Sequence, residues 1–172
     1  HCIQGVGMLA LGRDATIRPT LFGGTGTQSE NVFQPSELPE SLESGTLPTP
    51  AVAALNAAIT HNRTTRAESR RKMRELSSYV LEQLSKLRGI TIYTARDTYN
   101  GMIAFNIAGI GSMEASNILS SQYDIAVRGG LHCAPLIHRH LGTLSSGIIR
   151  ASLNGDNTYG EAEYFVRAVK EI

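Results

Sequence analysis

The sequence predicts an α/β or α+β fold in which helices cover one face of a small sheet. Three observations support this prediction. Apolar residues recur at helical spacing between Ala51 and Gly89, short apolar stretches typical of strands come next, and an amphipathic segment forms residues 158–172. The predicted order after residue 50 is helix, strand, strand, helix, strand, loop, strand, helix.

Composition limits the classes of partner. The 172 residues are 41% hydrophobic, which is enough for a core. The formal net charge is +1, so bulk electrostatics favour neither a nucleic acid nor a membrane as a partner, and no apolar run is long enough to span a bilayer. We expect Cys2 and Cys133 to be free thiols in a reducing compartment, because the chain is neither small nor rich in cysteine.

Residues 1–50 contain no predicted helix. The apolar run from Val6 to Leu11 predicts a buried strand. The stretch LFGGTGTQS at residues 21–29 predicts a loop whose backbone comes close to another group. Four of the six prolines lie in residues 31–50, which predicts an extended segment. The chain opens with His1 rather than methionine, and its first residues read as the middle of a structured unit.

The segment from Ala51 to Gly89 predicts one long helix, or two helices broken near residues 61–65. Its charged middle is interpreted as a solvated face, because the aromatic or glycine partners typical of RNA binding are absent. Beyond it, Thr158 is the predicted N-cap of the last helix, and Glu161 completes a capping box. The predicted strands are 90–93, 102–107, 125–127 and 148–152, and the predicted helices are 112–123 and 158–172.

The candidate catalytic residues lie in the segment VRGGLHCAPLIH, residues 127–138. Two glycines permit a sharp turn after a predicted strand, and Cys133 follows with His132 beside it and Arg128 nearby. Neighbouring cations favour the thiolate, so Cys133 is a candidate nucleophile. The alternative is a buried structural cysteine beside a surface histidine, since cysteine is among the most buried residue types.

Two further features concern ligands. His132, Cys133, His138 and His140 form a compact cluster, but we predict no metal site, because the last two are too close to ligate together easily and no CxxC pair accompanies them. Arg150 interrupts the apolar strand GIIRAS, where an unpaired charge would be costly. Its partner is either a bound carboxylate or an internal Asp or Glu.

Four segments, in order along nearly the whole chain, resemble the cysteine desulfurases of the class V aminotransferase type. RGGLHCAPLIHRHLGTLSSGIIRASLNGDNT resembles the glycine-rich turn that carries their reactive cysteine, followed by an R-x-S strand and an Asn-Thr pair. LESGTLPTPAVAALNAAI resembles their E-x-G-T segment before the long helix. HCIQGVGMLAL resembles the stretch just after their cofactor lysine, and GGTG also matches.

The resemblance implies an α/β fold, the C-terminal part of a fold-type I transferase that depends on pyridoxal 5'-phosphate (PLP). Residues 1–50 would be the end of the large cofactor-binding domain and a crossing segment. Residues 51–172 would be the long helix and the small α+β C-terminal domain. The cofactor lysine would lie a few residues before His1, and the lysines on predicted helices are not candidates for it.

The resemblance also implies an activity, the conversion of L-cysteine to L-alanine with a persulfide formed on Cys133. Arg150 would hold the substrate α-carboxylate, and Arg128 would support the cysteine turn or the substrate. His132 would assist proton transfer. The implied partners are a second subunit of a homodimer and a sulfur-acceptor protein, and the expected location is cytoplasmic.

Cofactor contacts follow from the same resemblance. Gly45 and Thr46 would contact the PLP phosphate of the other subunit, and a hydroxyl and N–H groups near a helix start suit a phosphate.

This chain departs from the family at two places: Gly129-Gly130 replaces a more usual hydroxyl-glycine pair, and Asp156 stands where an aromatic residue often precedes Asn-Thr.

Three other functions stay open from the sequence. A selenocysteine lyase would use the same chemistry on a different substrate. A module without the cofactor lysine would dimerise or accept sulfur without catalysis. A thiol redox sensor would use Cys133 without any cofactor.

Overall fold

The computed structural model describes residues 2–95 and 100–172. The chain divides into two compact units, residues 1–64 and 65–172, and each is described by itself. The predicted domain boundary after residue 50 falls in the first turn of the long helix and stays a prediction. No helix in the described ranges is long and apolar enough to cross a membrane.

Before the long helix begins, residues 2–48 of the first unit consist of turns, bends and stretches without regular secondary structure, with a short 3-10 helix at Glu40–Leu42. Gln34 connects its loops, because its side chain accepts a hydrogen bond from the Gly23 N–H (3.0 Å) and donates one to the Ser41 carbonyl (2.6 Å). The strand predicted at residues 6–11 is wrong. That run has no regular secondary structure and is largely exposed, and no described residue pairs with it as a neighbouring strand would.

The long helix α1 (Thr49–Ser85) is continuous, so the single-helix alternative is confirmed. Its charged middle is exposed, as predicted, and Arg71 forms ion pairs there with Glu68 and Glu75. The helix ends four residues earlier than predicted. Gly89 instead lies in the turn that follows, with a φ of +81°.

Three antiparallel strands form the sheet in the order β1 (Ile90–Ile92), β2 (Met102–Ile107), β3 (Ile149–Ser152). The predicted strand at 125–127 is wrong, since only an isolated bridge at Arg128 extends the sheet there. Side chains alternate between the faces, so Ile149 and Ala151 are buried in the core while Arg150 lies on the opposite face.

Three further helices follow the long one in the chain: α2 (Ser112–Tyr123), α3 (Pro135–His140) and α4 (Tyr159–Glu171). The predicted capping box at Thr158 and Glu161 is confirmed. The buried ring of Phe105 meets Phe165 of α4 edge-on, with 5.9 Å between centroids. The core of the second unit joins buried residues of α1, the sheet, α2 and α4: Leu76, Val80, Leu81, Leu84, Ile103, Phe105, Ala115, Leu119, Ile149, Ala151, Ala162, Phe165, Ala168 and Val169.

Helix α3 was not predicted, because a six-residue helix carries too little periodicity to be recognised. Its start has a local cause. Pro135 occupies the first turn, where a backbone N–H has no partner within the helix and the fixed φ of proline is favourable. The stretch predicted as one loop between strands therefore contains a helix directly after Cys133.

Candidate active site

Two arginines are brought together by the edge of the sheet. Arg128 and Arg150 exchange both backbone hydrogen bonds, with N–H to carbonyl distances of 3.1 and 2.8 Å. Arg150 is half-buried and Arg128 is exposed. Neither has a carboxylate partner within residues 2–95 and 100–172. Of the two partners expected for Arg150, an internal Asp or Glu is therefore not present in the described part of the chain.

The glycine pair after Arg128 lies against the start of α2. A Cβ on Gly129 would collide with the Ser112 carbonyl oxygen and lie 2.6 Å from Ser116 Oγ. Gly130 has a φ of +100°, a conformation that L side chains rarely adopt, and its carbonyl accepts the Ile148 N–H at 3.1 Å. Position 129 therefore requires glycine because there is no space for a side chain, and position 130 requires it because of the backbone conformation.

His132 and Cys133 both have a left-handed backbone, with φ of 52° and 58°. Such a conformation is costly for a side chain other than glycine, by about 1–3 kcal/mol for each residue. The Ala134 N–H closes the turn on the Leu131 carbonyl at 2.9 Å. Two consecutive strained residues at one turn motivate a functional assignment, because such strain concentrates at active sites.

His132 is held by its ring. Nε2 lies 2.9 Å from the Ile148 carbonyl oxygen and, as the N–H, donates to it. Nδ1 is buried without a hydrogen-bond partner in the described structure. Burial is the main cause that lowers the pKa of His132, and the positive charges of Arg150 and Arg128 lower it further, while the bond to Ile148 opposes them. The ring is therefore neutral near pH 7.

Cys133 is an exposed free thiol, and the Arg128 guanidinium donates to its sulfur at 3.8 Å. The alternative of a buried structural cysteine beside a surface histidine is wrong, because the histidine is the more buried of the two. The thiol borders an open cavity of about 590 Å³, which the turn and one face of α2 line. Access and a neighbouring cation are what a nucleophilic sulfur requires.

The other histidines of the cluster do not face a common point with Cys133. His138 is buried, and its Nδ1 lies 2.9 Å from Thr143 Oγ1. His140 is exposed. Among the described residues, no three His, Cys, Asp or Glu side chains are grouped as metal ligands would be.

The two predicted phosphate contacts lie in the first unit, next to the GGTG loop. Gly45, with a φ of +92°, donates its N–H to the Gly24 carbonyl at 2.8 Å, so this N–H is already engaged. Thr46 is exposed, and neither its N–H nor its hydroxyl has a partner in the described part of the chain. Three residues later α1 begins. The N–H and the hydroxyl of Thr46 are therefore both available as hydrogen-bond donors, and Gly45 forms the turn before it.

Sequence reasoning missed the residues that hold the cysteine turn. Ser112, Ser116 and the Ile148 carbonyl all contact it. None carries a recognisable signal, since serine at the start of a helix is common and a carbonyl contact is independent of the side chain.

The aminotransferase class-V family model matches residues 1–165. A probable cysteine desulfurase of Treponema pallidum is 31% identical over 176 residues, which cover 98% of this chain and 42% of that protein. The chain spans about two fifths of the length of the curated relatives that it matches.

Two solved structures are similar to this chain. The apo structure of a cysteine desulfurase from Thermococcus onnurineus matches with a TM-score of 0.79 at 28% identity, covering 89% of this chain and 38% of that one. A cysteine desulfurase of Escherichia coli, in an S-sulfonic acid form, matches with a TM-score of 0.76 at 28% identity and the same coverage. These matches confirm the predicted resemblance and fold class.

Proposed function

Because this chain belongs to the aminotransferase class-V family, we propose that it forms the C-terminal part of a PLP-dependent cysteine desulfurase. The substrate is L-cysteine and the amino-acid product is L-alanine. One observation carries the proposal: Cys133 is an exposed thiol on a strained turn, with a guanidinium 3.8 Å from its sulfur.

The proposed transfer balances as follows. The Cys133 thiolate attacks the substrate sulfur, an S–S bond forms on the enzyme and the C–S bond of the substrate breaks. The electron pair of that bond stays on the substrate carbon, which takes up a proton to become the methyl group of alanine. PLP, when bound, supplies an electron sink next to the substrate α-carbon.

Arg150 is proposed to bind the substrate α-carboxylate. A guanidinium offers two parallel N–H groups that match a carboxylate, and Arg150 has no carboxylate partner in residues 2–95 and 100–172. Its backbone is fixed on both sides, by pairing with Ala104 in β2 and with Arg128. A fixed backbone supports a positioned charge.

Arg128 is proposed to stabilise the Cys133 thiolate and to keep the turn in place. Its guanidinium donates to the sulfur, and its backbone is paired with Arg150, so one residue connects the nucleophile to the carboxylate-binding strand.

His132 is proposed to assist proton transfer. A neutral ring whose Nε2–H is engaged leaves Nδ1 able to accept a proton.

Thr46 is proposed to contact the PLP phosphate bound by the other subunit of a homodimer. Its free hydroxyl and N–H, three residues before α1, suit an anion. Gly45 is proposed to shape this contact through its backbone conformation, since its own N–H is bonded to Gly24. A sulfur-acceptor protein and a cytoplasmic location complete the proposal, consistent with free thiols at both cysteines.

The test is a pair of cysteine substitutions in the whole protein of which this chain is proposed to form the C-terminal part. Cys133→Ser should reduce alanine formation from L-cysteine at least about a hundredfold, because a hydroxyl cannot accept the sulfur. Cys2→Ser is the matched control, since Cys2 is also exposed and free, and it should keep parental activity. Equal activity of Cys133→Ser and the parent would refute the assignment of the nucleophile.

Three measurements separate the competing functions. Turnover of selenocysteine against cysteine distinguishes a lyase for selenium from a desulfurase. A sample that stays colourless with added PLP, and forms no alanine, would identify a module without catalysis. Reversible oxidation of Cys133 in the absence of PLP would instead support a redox sensor.

A further inference from the structure

The hydroxyl of Ser112 joins three segments of the second unit. Ser112 is the first residue of α2, and only 2% of it is exposed. Its Oγ accepts the Gly130 N–H at 3.2 Å and donates to the Ser146 carbonyl oxygen at 2.5 Å. Gly130 lies three residues before Cys133, and Ser146 lies four residues before Arg150.

The space around this hydroxyl is closed. Gly147 has a φ of +63°, and a Cβ on it would lie 2.5 Å from Ser112 Oγ and 2.7 Å from the Gly130 Cα. The Gly130 carbonyl also accepts the Ile148 N–H, so the turn and the segment before β3 contact each other directly. A larger side chain in place of glycine at either position would separate them.

We infer that Ser112 is a positioning residue for Cys133, acting through the Gly130 N–H. A serine hydroxyl donates and accepts at the same time, and both functions are used here. Alanine at this position would leave the Gly130 N–H and the Ser146 carbonyl without their partner. The turn that carries Cys133 would then lose its hydrogen bond to α2 and keep only packing contacts with it, while the core, to which Ser112 contributes no large apolar side chain, would stay in place.

The effect on Arg150 is smaller. Its backbone is held by β2 and by Arg128 independently of Ser112. Loss of the hydroxyl should therefore displace the nucleophile more than the carboxylate-binding group. This part of the inference rests on the proposed desulfurase function, whereas the control of the turn by Ser112 does not.

Hydrogen exchange in the full chain tests the structural part. In Ser112→Ala the Gly130 amide and its neighbours in the turn should exchange about tenfold faster, because a bonded N–H loses its acceptor. The matched control is Ser77→Ala. Ser77 is also 2% exposed, and its hydroxyl donates to the Met73 carbonyl within α1, so the turn should exchange at the parental rate.

A variant that keeps the hydroxyl provides a second comparison. Ser112→Thr keeps a group that donates and accepts but adds a methyl group in a closed space, so its turn should exchange faster than in the parent and more slowly than in Ser112→Ala. The inference is overturned if Ser112→Ala leaves the turn at the parental rate, or if Ser77→Ala accelerates exchange there equally.

Steady-state kinetics with L-cysteine tests the catalytic part. Ser112→Ala should lower kcat about tenfold or more, since a small displacement of a reacting group is costly, and change KM by less than about twofold. An unchanged kcat would overturn the positioning role in catalysis. If the parent itself forms no alanine, the proposed function fails, and the exchange experiment still decides whether Ser112 controls the Cys133 turn.

Discussion

Gly129→Ala tests the close approach of α2 to the cysteine turn. The added Cβ would lie 2.6 Å from Ser116 Oγ, and ordinary van der Waals contact begins at 3.4 Å, so the helix or the turn must move by at least about 0.8 Å. The Ser112 carbonyl oxygen is also in the way and cannot rotate aside. Overpacking of this kind costs about 1–3 kcal/mol, which for a chain of this size lowers the melting temperature by roughly 2–12 °C.

The assay is thermal unfolding of the full chain, followed by circular dichroism. Gly111→Ala is the matched control, because Gly111 lies at the start of the same helix with a φ of −72° and nothing within 4 Å of the added Cβ. Its unfolding free energy should change by no more than about 0.5 kcal/mol. If Gly129→Ala melts at the temperature of Gly111→Ala, the two segments do not pack as described.

Three other perturbations address the cap, the histidine and the arginine. Thr158→Ala removes the acceptor of the Glu161 N–H and should destabilise α4 by about 1 kcal/mol in chemical denaturation. The pKa of His132 is lowered on folding. The stability that the neutral ring contributes is therefore present above the unfolded pKa of about 6.5 and is lost as the pH falls below it. An NMR titration of the folded chain should give a His132 midpoint below that of the urea-unfolded chain. A midpoint at or above the unfolded value would contradict the buried neutral ring. Arg150→Lys keeps the charge but loses the two parallel N–H groups, and KM for L-cysteine should rise about tenfold in initial-rate kinetics.

Elements with a strong local signal were predicted almost to the residue. Helix α2 and strand β2 have the predicted bounds, and the capping box of α4 was read from Thr158 and Glu161 alone. The two wrong strand predictions share a physical cause. The run at residues 6–11 is apolar enough for a strand, yet a strand exists only with a hydrogen-bonded neighbour, and pairing depends on residues distant in sequence.

The candidate site was predicted only in part for the same reason. The glycines, Cys133 and the two arginines are recognisable because their chemistry is unusual at those positions. The pairing of Arg128 with Arg150 depends on strand register, and the role of Ser112 depends on how α2 packs against a loop. Neither the pairing nor the role of Ser112 can be predicted from the neighbouring residues in the sequence, because each depends on contacts between distant segments.

Glycine at position 129 has a structural explanation in this chain. A serine or threonine at this position would collide with the start of α2, where the Ser116 hydroxyl already donates to the Ser112 carbonyl at 2.7 Å. Glycine at 129 thus permits two helix serines to approach the turn, and one of them bonds to Gly130.

The charges of the site argue for an anionic reaction partner. Arg128 and Arg150 are adjacent through their backbones, and both guanidiniums lower the pKa of His132. No carboxylate of residues 2–95 or 100–172 pairs with either arginine. Like charges held together repel, and a fold keeps such an arrangement at a cost to its own stability unless anions bind there. In the proposed function, a thiolate at Cys133 and a substrate carboxylate at Arg150 would be two such anions, one for each guanidinium, and this pairing supports the proposal.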